Sequence, residues 1–136
     1  MEYGLSSSSP GFVSLLNTDA QDHVRLTSSG SYYERALTAD VQAGLIWWTT
    51  CGNDGVYKAS LADVNSKTLI WTGTQCPWGL AVSITDKLVF VDQETAGLVM
   101  LNYDGQLINT LTVTGKGPSY GLAIDEVKRL VFNLYI

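Results

Sequence analysis

A repeat with a period of 42 residues constrains the fold of this 136-residue chain more than any other feature of its sequence. Residues 79–82, Gly-Leu-Ala-Val, return as Gly-Leu-Ala-Ile at residues 121–124. Residues 89–92 are matched by residues 131–134 at the same offset and, in the other direction, by Trp-Trp-Thr-Thr at residues 47–50. Self-similarity at such a period indicates stacked copies of one supersecondary unit, each of which buries its apolar face against the next.

Each unit contains four short apolar or β-branched segments separated by turn sequences. In the best-preserved unit the segments cover residues 79–84, 87–92, 98–102 and 107–113, and the Asp-Gly pair that begins at Asp104 is a strong hairpin signal. No window shows the spacing of apolar residues that an amphipathic helix requires. Four antiparallel strands repeated every ~40 to 50 residues predict an all-β fold built from β-propeller blades.

The first and second segments of the units carry a motif that resembles a known repeat family. Residues 77–82 read Pro-Trp-Gly-Leu-Ala-Val, and residues 46–50 read Ile-Trp-Trp-Thr-Thr. From residue 11 onward the pattern resembles the YWTD repeat, also called the LDL-receptor class B repeat. The aspartate of the name-giving motif is retained at Asp92, whereas Thr50 and Leu134 stand where the family has it. NHL-type propeller repeats share much of this pattern and are the nearest alternative.

The number of strands predicts half of a ring. The resemblance implies six blades, but twelve strands amount to three blades, and a propeller needs at least four to close. Leu37 matches Leu80 at an offset of 43, so one loop is expected to have gained a residue. We expect a fragment of a larger receptor; the alternative is a homodimer in which two copies close a six-bladed ring. The predicted divisions are a Ser-rich disordered segment at 1–10, a partial blade at 11–34, blades at 35–77 and 78–119, and a partial blade at 120–136.

Charge and composition narrow the range of partners. Thirteen acidic side chains against eight basic ones give a net charge of −5, which repels a nucleic-acid backbone and an anionic membrane surface. Uninterrupted apolar runs are far shorter than the ~20 residues that a transmembrane helix needs. The first residues show neither the basic head nor the apolar stretch of a secretory signal. We therefore expect no nucleic-acid partner and no membrane insertion of this segment.

The sequence offers little for enzyme chemistry. The one histidine, His23, is expected in a solvated turn between two outer strands, and the acidic residues are scattered through the repeats instead of clustered as a metal site requires. Asp40, Asp92 and Asp125 recur near strand ends, where a carboxylate accepts backbone N–H groups of the adjoining turn. We predict no catalytic residue, no metal and no cofactor.

One set of residues is a candidate binding surface. Arg35, Trp78 and Tyr120 precede the core of the first strand at the same repeat position, on the face shared by two sets of loops, so they are expected to ring the mouth of the channel. Arginine and aromatic residues are enriched at binding hot spots, although packing on neighbouring loops is the alternative role. Cys51 and Cys76 fall on the same face, where a disulfide would require Cα atoms within about 7 Å.

Large aromatic residues on the second strands have a different expected role. One ring set on these strands must pack between adjacent blades, because side chains of a strand alternate between the two faces of its sheet. The residues expected in this core are Trp47, Trp48, Phe90 and Phe132.

The resemblance implies a non-catalytic module that binds a protein ligand. LDL-receptor-related and other YWTD/EGF-like proteins place such propellers at the cell surface or in the matrix, beside EGF-like domains, so an extracellular or cell-surface location is expected. Arg35, Trp78 and Tyr120 would contact the ligand. The alternative is an NHL- or lactonase-like enzyme with a metal in the central channel. That function needs several carboxylate or Asn side chains at the axis, whereas the predicted channel strands carry mainly Leu, Ala, Val, Thr and Ser.

Overall fold

The computed structural model describes residues 12–16, 23–28, 33–51, 55–73, 76–93, 97–112 and 119–135, and these form strands and turns without a helix. Across these ranges there is accordingly no helix of the length and apolarity that a bilayer span needs. The predicted disordered segment at 1–10 lies outside the described residues. The strands are β1 (Phe12–Leu16), β2 (His23–Ser28), β3 (Tyr33–Asp40), β4 (Leu45–Cys51), β5 (Gly55–Ser60), β6 (Asp63–Thr72), β7 (Pro77–Ser83), β8 (Leu88–Gln93), β9 (Gly97–Asn102), β10 (Leu107–Leu111), β11 (Ser119–Asp125) and β12 (Leu130–Tyr135).

These strands form four antiparallel sheets that follow the order of the chain. Sheet A contains β1 and β2, sheet B contains β3 to β6, sheet C contains β7 to β10, and sheet D contains β11 and β12. Sheets B and C are simple meanders in which each strand pairs with the next one in sequence. The predicted all-β fold with four-stranded antiparallel blades is confirmed.

The first strands of sheets B, C and D lie side by side, because β3 contacts β7 and β7 contacts β11. The sheets therefore stack face to face, with the first strands innermost and β6 and β10 outermost. Gly79 allows the close approach of β7 to its neighbours: a Cβ atom there would lie 3.1 Å from Cβ of Asp92 and 3.1 Å from Cγ of Leu122. We call the side on which the first strands begin the upper face and the side on which they end the lower face.

The hydrogen-bond register confirms the repeat and corrects one of its offsets. Leu45 lies opposite Asp40 in sheet B, and Leu88 lies opposite Ser83 in sheet C. Strands β4 and β8 are therefore related by 43 residues, and the predicted match of residues 47–50 at an offset of 42 was wrong by one residue.

The extra residue lies in the loop between β4 and β5. Thr50 pairs with Gly55, whereas its counterpart Gln93 pairs with Gly97, so residues 51–54 stand where sheet C has only 94–96. The inserted residue thus belongs to the loop that contains Cys51.

The correction changes which residue replaces the motif aspartate. In sheet B the counterpart of Asp92 is Thr49 instead of Thr50, and both side chains are fully buried. In sheet D the counterpart remains Leu134, which lies opposite Gly121 as Asp92 lies opposite Gly79.

The main hydrophobic core lies between sheets B and C. Trp47 of β4 is fully buried against Leu80, Val89 and Leu101 of sheet C. A second cluster, on the other face of sheet B, is centred on Trp48. The first cluster brings together apolar side chains of two sheets, whereas Trp48 packs with Ile46 and Ala59 of its own sheet. Burial of apolar surface of this kind is the largest favourable contribution to folding.

The predicted aromatic core is confirmed in part. Trp47, Trp48 and Phe90 are buried. Phe132 is 55% exposed, so its assignment to the core was wrong. It occupies the repeat position of Trp47 and Phe90, but no further sheet in the described structure packs on its side of sheet D.

Candidate functional site

The three predicted binding residues lie at one structural position in three neighbouring strands. The pairing of β3 with β4 shifts register between Glu34 and Leu37, where Arg35 lies. The pairing of β7 with β8 passes over Trp78, and that of β11 with β12 passes over Tyr120. Such a bulge leaves a residue out of the ladder and redirects its side chain, and bulges are frequent beside functional sites. The fold therefore brings the predicted positions together at the upper face.

The guanidinium of Arg35 stacks on the indole ring of Trp78. Arg35 Cζ lies 4.3 Å from the centroid of the ring, well within the ~6 Å of a cation–π contact. Arg35 is exposed and Trp78 is half-buried. The pair joins sheet B to sheet C and holds a planar cation in a fixed position at the upper face.

Tyr120 is placed by its backbone. It lies between Ser119 and Gly121 at the start of β11, in the repeat position of Trp78. Its side chain is outside the described part of the chain, so its share in the binding surface stays a prediction.

A disulfide between Cys51 and Cys76 lies beside this pair. The two Cα atoms are 4.8 Å apart, within the limit set from the sequence. Cys51 ends β4 opposite Tyr33, and Cys76 immediately precedes β7. The bond ties β4 of sheet B, the strand paired with β3, to the start of β7 in sheet C at the upper face.

The bulge in β3 is supported by a side chain from below. The amide of Ala36 donates a hydrogen bond of 3.0 Å to Oγ1 of Thr49. Thr49 is fully buried, so this bond satisfies a backbone donor where water cannot reach it. The bulge next to Arg35 is thus a stable part of the strand.

The lower face carries a buried carboxylate that sequence analysis placed only in its own turn. Asp40 accepts the amide of Ala43 at 3.0 Å, as predicted for a strand-end aspartate. Its other oxygen accepts a hydrogen bond of 2.7 Å from the Tyr103 hydroxyl and one of 3.0 Å from Lys87 Nζ, both in turns that connect strands of sheet C. The amide of Ala43, the hydroxyl of Tyr103 and the ammonium of Lys87 lower the pKa of Asp40 from 3.8 to about 2. Burial and the neighbouring Asp40 raise the pKa of Tyr103.

A second set of polar contacts joins sheets C and D. Glu126 accepts the Ser83 hydroxyl at 3.0 Å and the amide of Ile84 at 2.6 Å. Arg129 donates two hydrogen bonds, of 2.9 and 3.2 Å, to the carboxylate of Asp86. Burial acts to raise the pKa of Glu126, but the Ile84 amide and the Ser83 hydroxyl outweigh it and lower that pKa.

A sequence signal for these lower-face contacts exists and was missed. Lys87 and Arg129 are 42 residues apart and occupy the same position of the hairpin turn, each with a φ of 56°. Gly44, with a φ of 68°, fills that position in sheet B. A basic residue recurring in a left-handed turn position indicates a contact with the preceding blade.

The sequence predictions for Asp125, Asp92 and His23 differ in how they compare with the structure. Asp125 accepts the amides of Val127 and Lys128 at 3.0 Å each, as predicted. The turn that follows Asp92 lies outside the described residues. His23, expected in a turn, is instead the first residue of β2 and lies opposite Leu16.

An open cleft of about 360 Å³ separates sheets C and D. In the equivalent space between sheets B and C, the third strand of sheet C supplies Val99 and Leu101, and both are buried. Sheet D has no third strand in the described structure, which explains the opening. The cleft is lined by Ser83, Asp86, Leu88, Phe90, Met100, Ile124, Glu126, Arg129 and Val131.

The described residues do not assemble a metal site. Nowhere in those ranges do three or more His, Cys, Asp or Glu side chains meet in a group that could hold an ion. The carboxylates whose pKa is lowered, those of Asp40 and Glu126, serve instead as hydrogen-bond acceptors between sheets.

Comparison with known proteins shows the fold. No protein-family model and no curated protein sequence matches the chain. Among solved structures, a chain of a nidogen/laminin complex superposes with a TM-score of 0.72 and 16% identity, over 82% of this chain and 43% of that one. A gluconolactonase from Xanthomonas campestris superposes with a TM-score of 0.78 and 14% identity, over 93% of this chain and 42% of that one.

At these identities the likeness establishes a β-propeller fold and nothing finer. The chain spans 42 to 43% of the length of the two solved chains. One neighbour belongs to a protein–protein complex and the other is an enzyme, so both predicted functional classes occur on this fold. The assignment to YWTD repeats stays a prediction.

Proposed function

We propose that this chain is a non-catalytic module that binds a protein ligand through the upper-face residues Arg35, Trp78 and Tyr120. The observation that supports the proposal best is the stacking of Arg35 on Trp78, at bulges of adjacent first strands. Arginine and large aromatic residues are the types that contribute most at protein interfaces.

The geometry favours tight contact because the pair is ordered before any ligand arrives. Stacking removes much of the rotamer freedom of Arg35, so less entropy is lost on binding. The disulfide between Cys51 and Cys76 holds sheets B and C together at the same face as the pair. A guanidinium that already lies on an aromatic ring still offers its edge N–H groups to a carboxylate or a carbonyl of a ligand.

We further propose an extracellular or cell-surface setting, in a receptor or matrix protein with YWTD-like propellers and EGF-like neighbours. Two observations support it. A disulfide persists most readily in an oxidising compartment, and a chain in a nidogen/laminin complex shares the fold. In a ring of two copies, the three upper-face residues would occur twice around the channel.

A binding measurement on matched arginine and tryptophan variants tests the site. Immobilised laminin is the first probe, followed by other matrix proteins, with affinity measured by surface plasmon resonance. Trp78→Ala is expected to weaken binding by about 2 kcal/mol, or about 30-fold in Kd, as truncation of a hot-spot residue does. Arg35→Ala should act in the same direction, and Arg129→Ala on the lower face is the control that keeps full affinity.

The outcome that contradicts this site is equally specific. If Trp78→Ala lowers the melting temperature strongly but binds the probe as the unaltered chain does, the indole is a packing residue. Equal losses in Arg35→Ala and Arg129→Ala would show that net charge, and not the upper face, governs binding.

The second candidate function is a lactonase-like enzyme, favoured by the superposition on the gluconolactonase over 93% of the chain. It requires a metal held by several carboxylate or amide side chains at the axis. Gluconolactone hydrolysis with added Ca²⁺ or Zn²⁺, together with metal analysis of the purified protein, tests it. Stoichiometric metal and turnover would overturn the binding-module proposal.

A further inference from the structure

Residues at one repeat position differ in exposure according to the sheet that lies next to them. Trp47 in sheet B is fully buried beneath the complete sheet C, and Phe90 in sheet C is 7% exposed beneath the two strands of sheet D. Phe132 in sheet D, with no sheet beyond it among the described residues, is 55% exposed. On the opposite side of the stack, Leu80 is 5% exposed and its counterpart Leu37 is 52% exposed. At one end of the stack, Phe132 is exposed where Trp47 and Phe90 are buried by the next sheet. At the other end, Leu37 is exposed where Leu80 is buried by the preceding sheet.

The two end sheets also lack complementary strands. Sheet D has a first and a second strand, and β12 pairs only with β11 in the described structure. Sheet A shares the repeat position of the third and fourth strands: the register of β1 with β2 shifts between Val13 and Ser14, as that of β5 with β6 shifts between Val56 and Tyr57. Sheet A thus consists of third and fourth strands, and sheet D of a first and a second strand, so the two sheets are complementary.

The repeat fixes how β12 and β1 would pair. Applying the register of β4 with β5 and of β8 with β9 sets Phe132 opposite Leu15, Asn133 opposite Ser14 and Leu134 opposite Val13. Apolar residues then oppose apolar ones and polar residues oppose polar ones. Cross-strand pairs of like polarity are those that stabilise a sheet.

The same alignment supplies an occupant for the cleft between sheets C and D. Leu101, opposite Val89, fills the equivalent space between sheets B and C. The residue that would lie opposite Val131, at the wall of the cleft, is Leu16 of β1. In this pairing Leu16 takes the position beside the cleft that Leu101 takes between sheets B and C.

We propose that two copies of this chain close one six-bladed ring, in which β12 of each copy takes β1 of the other as its third strand. Phe132 of one copy then packs on Leu37 of the other, as Trp47 packs with Leu80 within the chain. The pairing also provides hydrogen-bond partners for the backbone N–H and C=O groups of two edge strands. Unpaired edge strands can pair with other chains and cause aggregation. The upper-face residues of both copies then surround one channel, so the binding surface is incomplete without the second copy.

Closure by this route depends on apolar contact. Gly44 stands at the turn position that holds Lys87 and Arg129 in the next two sheets, so the new junction has no basic residue there. Ion pairs between exposed groups weaken as salt is added, whereas apolar contacts do not. The proposed dimer is therefore expected to persist at about 1 M NaCl, where the Debye length is only about 3 Å.

Sedimentation equilibrium of the 136-residue chain tests the proposal. A discrete species near twice 14.8 kDa is expected. Leu134→Lys places a charge in the new junction and should raise the dimer dissociation constant by about 10-fold or more. Leu111→Lys on the outermost strand β10 is the matched control, because the two leucines are 61% and 59% exposed, and it should leave the dimer unchanged.

A cross-linking experiment tests the register itself. The chain with Ser14→Cys and Asn133→Cys should form intermolecular disulfides on mild oxidation, since these positions lie opposite each other in the proposed pairing. Val13→Cys with Asn133→Cys, shifted by one residue to the other face of the sheet, should not. A monomer, polydisperse aggregates, a dimer equally weakened by Leu111→Lys, or equal cross-linking of both cysteine pairs would overturn the proposal.

Discussion

The junction between sheets B and C and the junction between sheets C and D are built from the same repeat, yet they differ in completeness. The first has a fully buried tryptophan, a disulfide at the upper face and a buried carboxylate at the lower face. The second has the smaller aromatic residue Phe90, which is buried, together with an open cleft and polar contacts nearer the surface. The two junctions show that a repeat position acquires its energetic role from the neighbouring blade and not from residue type alone.

Truncating Trp47 and Phe132, which occupy the same repeat position in sheets B and D, should give the largest difference in the free energy of unfolding. Trp47→Ala is expected to lower the free energy of unfolding by about 3–5 kcal/mol at any protein concentration, because the indole is fully buried within the chain. Phe132→Ala should have an effect that grows with protein concentration, since its neighbours in the proposed dimer come from a second copy. Urea unfolding at two protein concentrations measures both. A concentration-independent loss of similar size for Phe132→Ala would contradict the comparison.

The disulfide strengthens only the first junction and should have the next largest effect. Cys51→Ser with Cys76→Ser removes a bond between residues separated by 25 positions, for which loop-closure entropy predicts a loss of about 3 kcal/mol. Reductant should destabilise the unaltered chain by the same amount and leave the double variant unchanged. Equal unfolding midpoints with and without reductant would show that the bond does not constrain this junction.

The lower face of the first junction should make stability sensitive to acid, with a smaller effect. The pKa of Asp40 is about 2 in the folded chain, below its ordinary value of 3.8, so its contribution is complete above about pH 4 and is lost as the pH falls through about 2. Asp40→Asn should flatten the pH dependence of stability in this range.

Lys87→Met is the paired variant for that measurement. Removing the ammonium raises the pKa of Asp40 toward 3.8, so the acid-dependent loss should be smaller and should be complete at a higher pH than in the unaltered chain. Superimposable acid curves for the variant and the unaltered chain would contradict the role given to this contact.

The strand count and the four-stranded blades could be predicted from the sequence, because the Gly-Leu-Ala motif and short apolar segments recur at a nearly fixed spacing and are separated by turn residues. The register of β4 could not. Its five central residues are all buried, so no alternation of polar and apolar residues marks one face of the strand. The inserted residue in the following loop therefore stayed hidden until the backbone pairing located it.

The candidate site was predictable to a similar extent. Arg35, Trp78 and Tyr120 could be found because the repeat aligns them, but the bulge that redirects them leaves no mark in composition. The contact of Asp40 with Tyr103 joins residues 63 positions apart in different blades, and only the stacking of the blades brings them together. Exposure of Phe132 depends on a neighbouring blade that the local pattern cannot specify.

Hydrogen exchange of the second-strand amides tests most directly whether burial follows the neighbouring blade. At protein concentrations at which the proposed ring is closed, the amides of β12 should exchange as slowly as those of β8, because in the proposed dimer β1 of the second copy pairs with β12. Dilution below the dimer dissociation constant, or the Leu134→Lys variant, should speed exchange in β12 and leave β8 protected. Amides of β12 that exchange freely at every concentration, while those of β8 stay protected, would contradict the account.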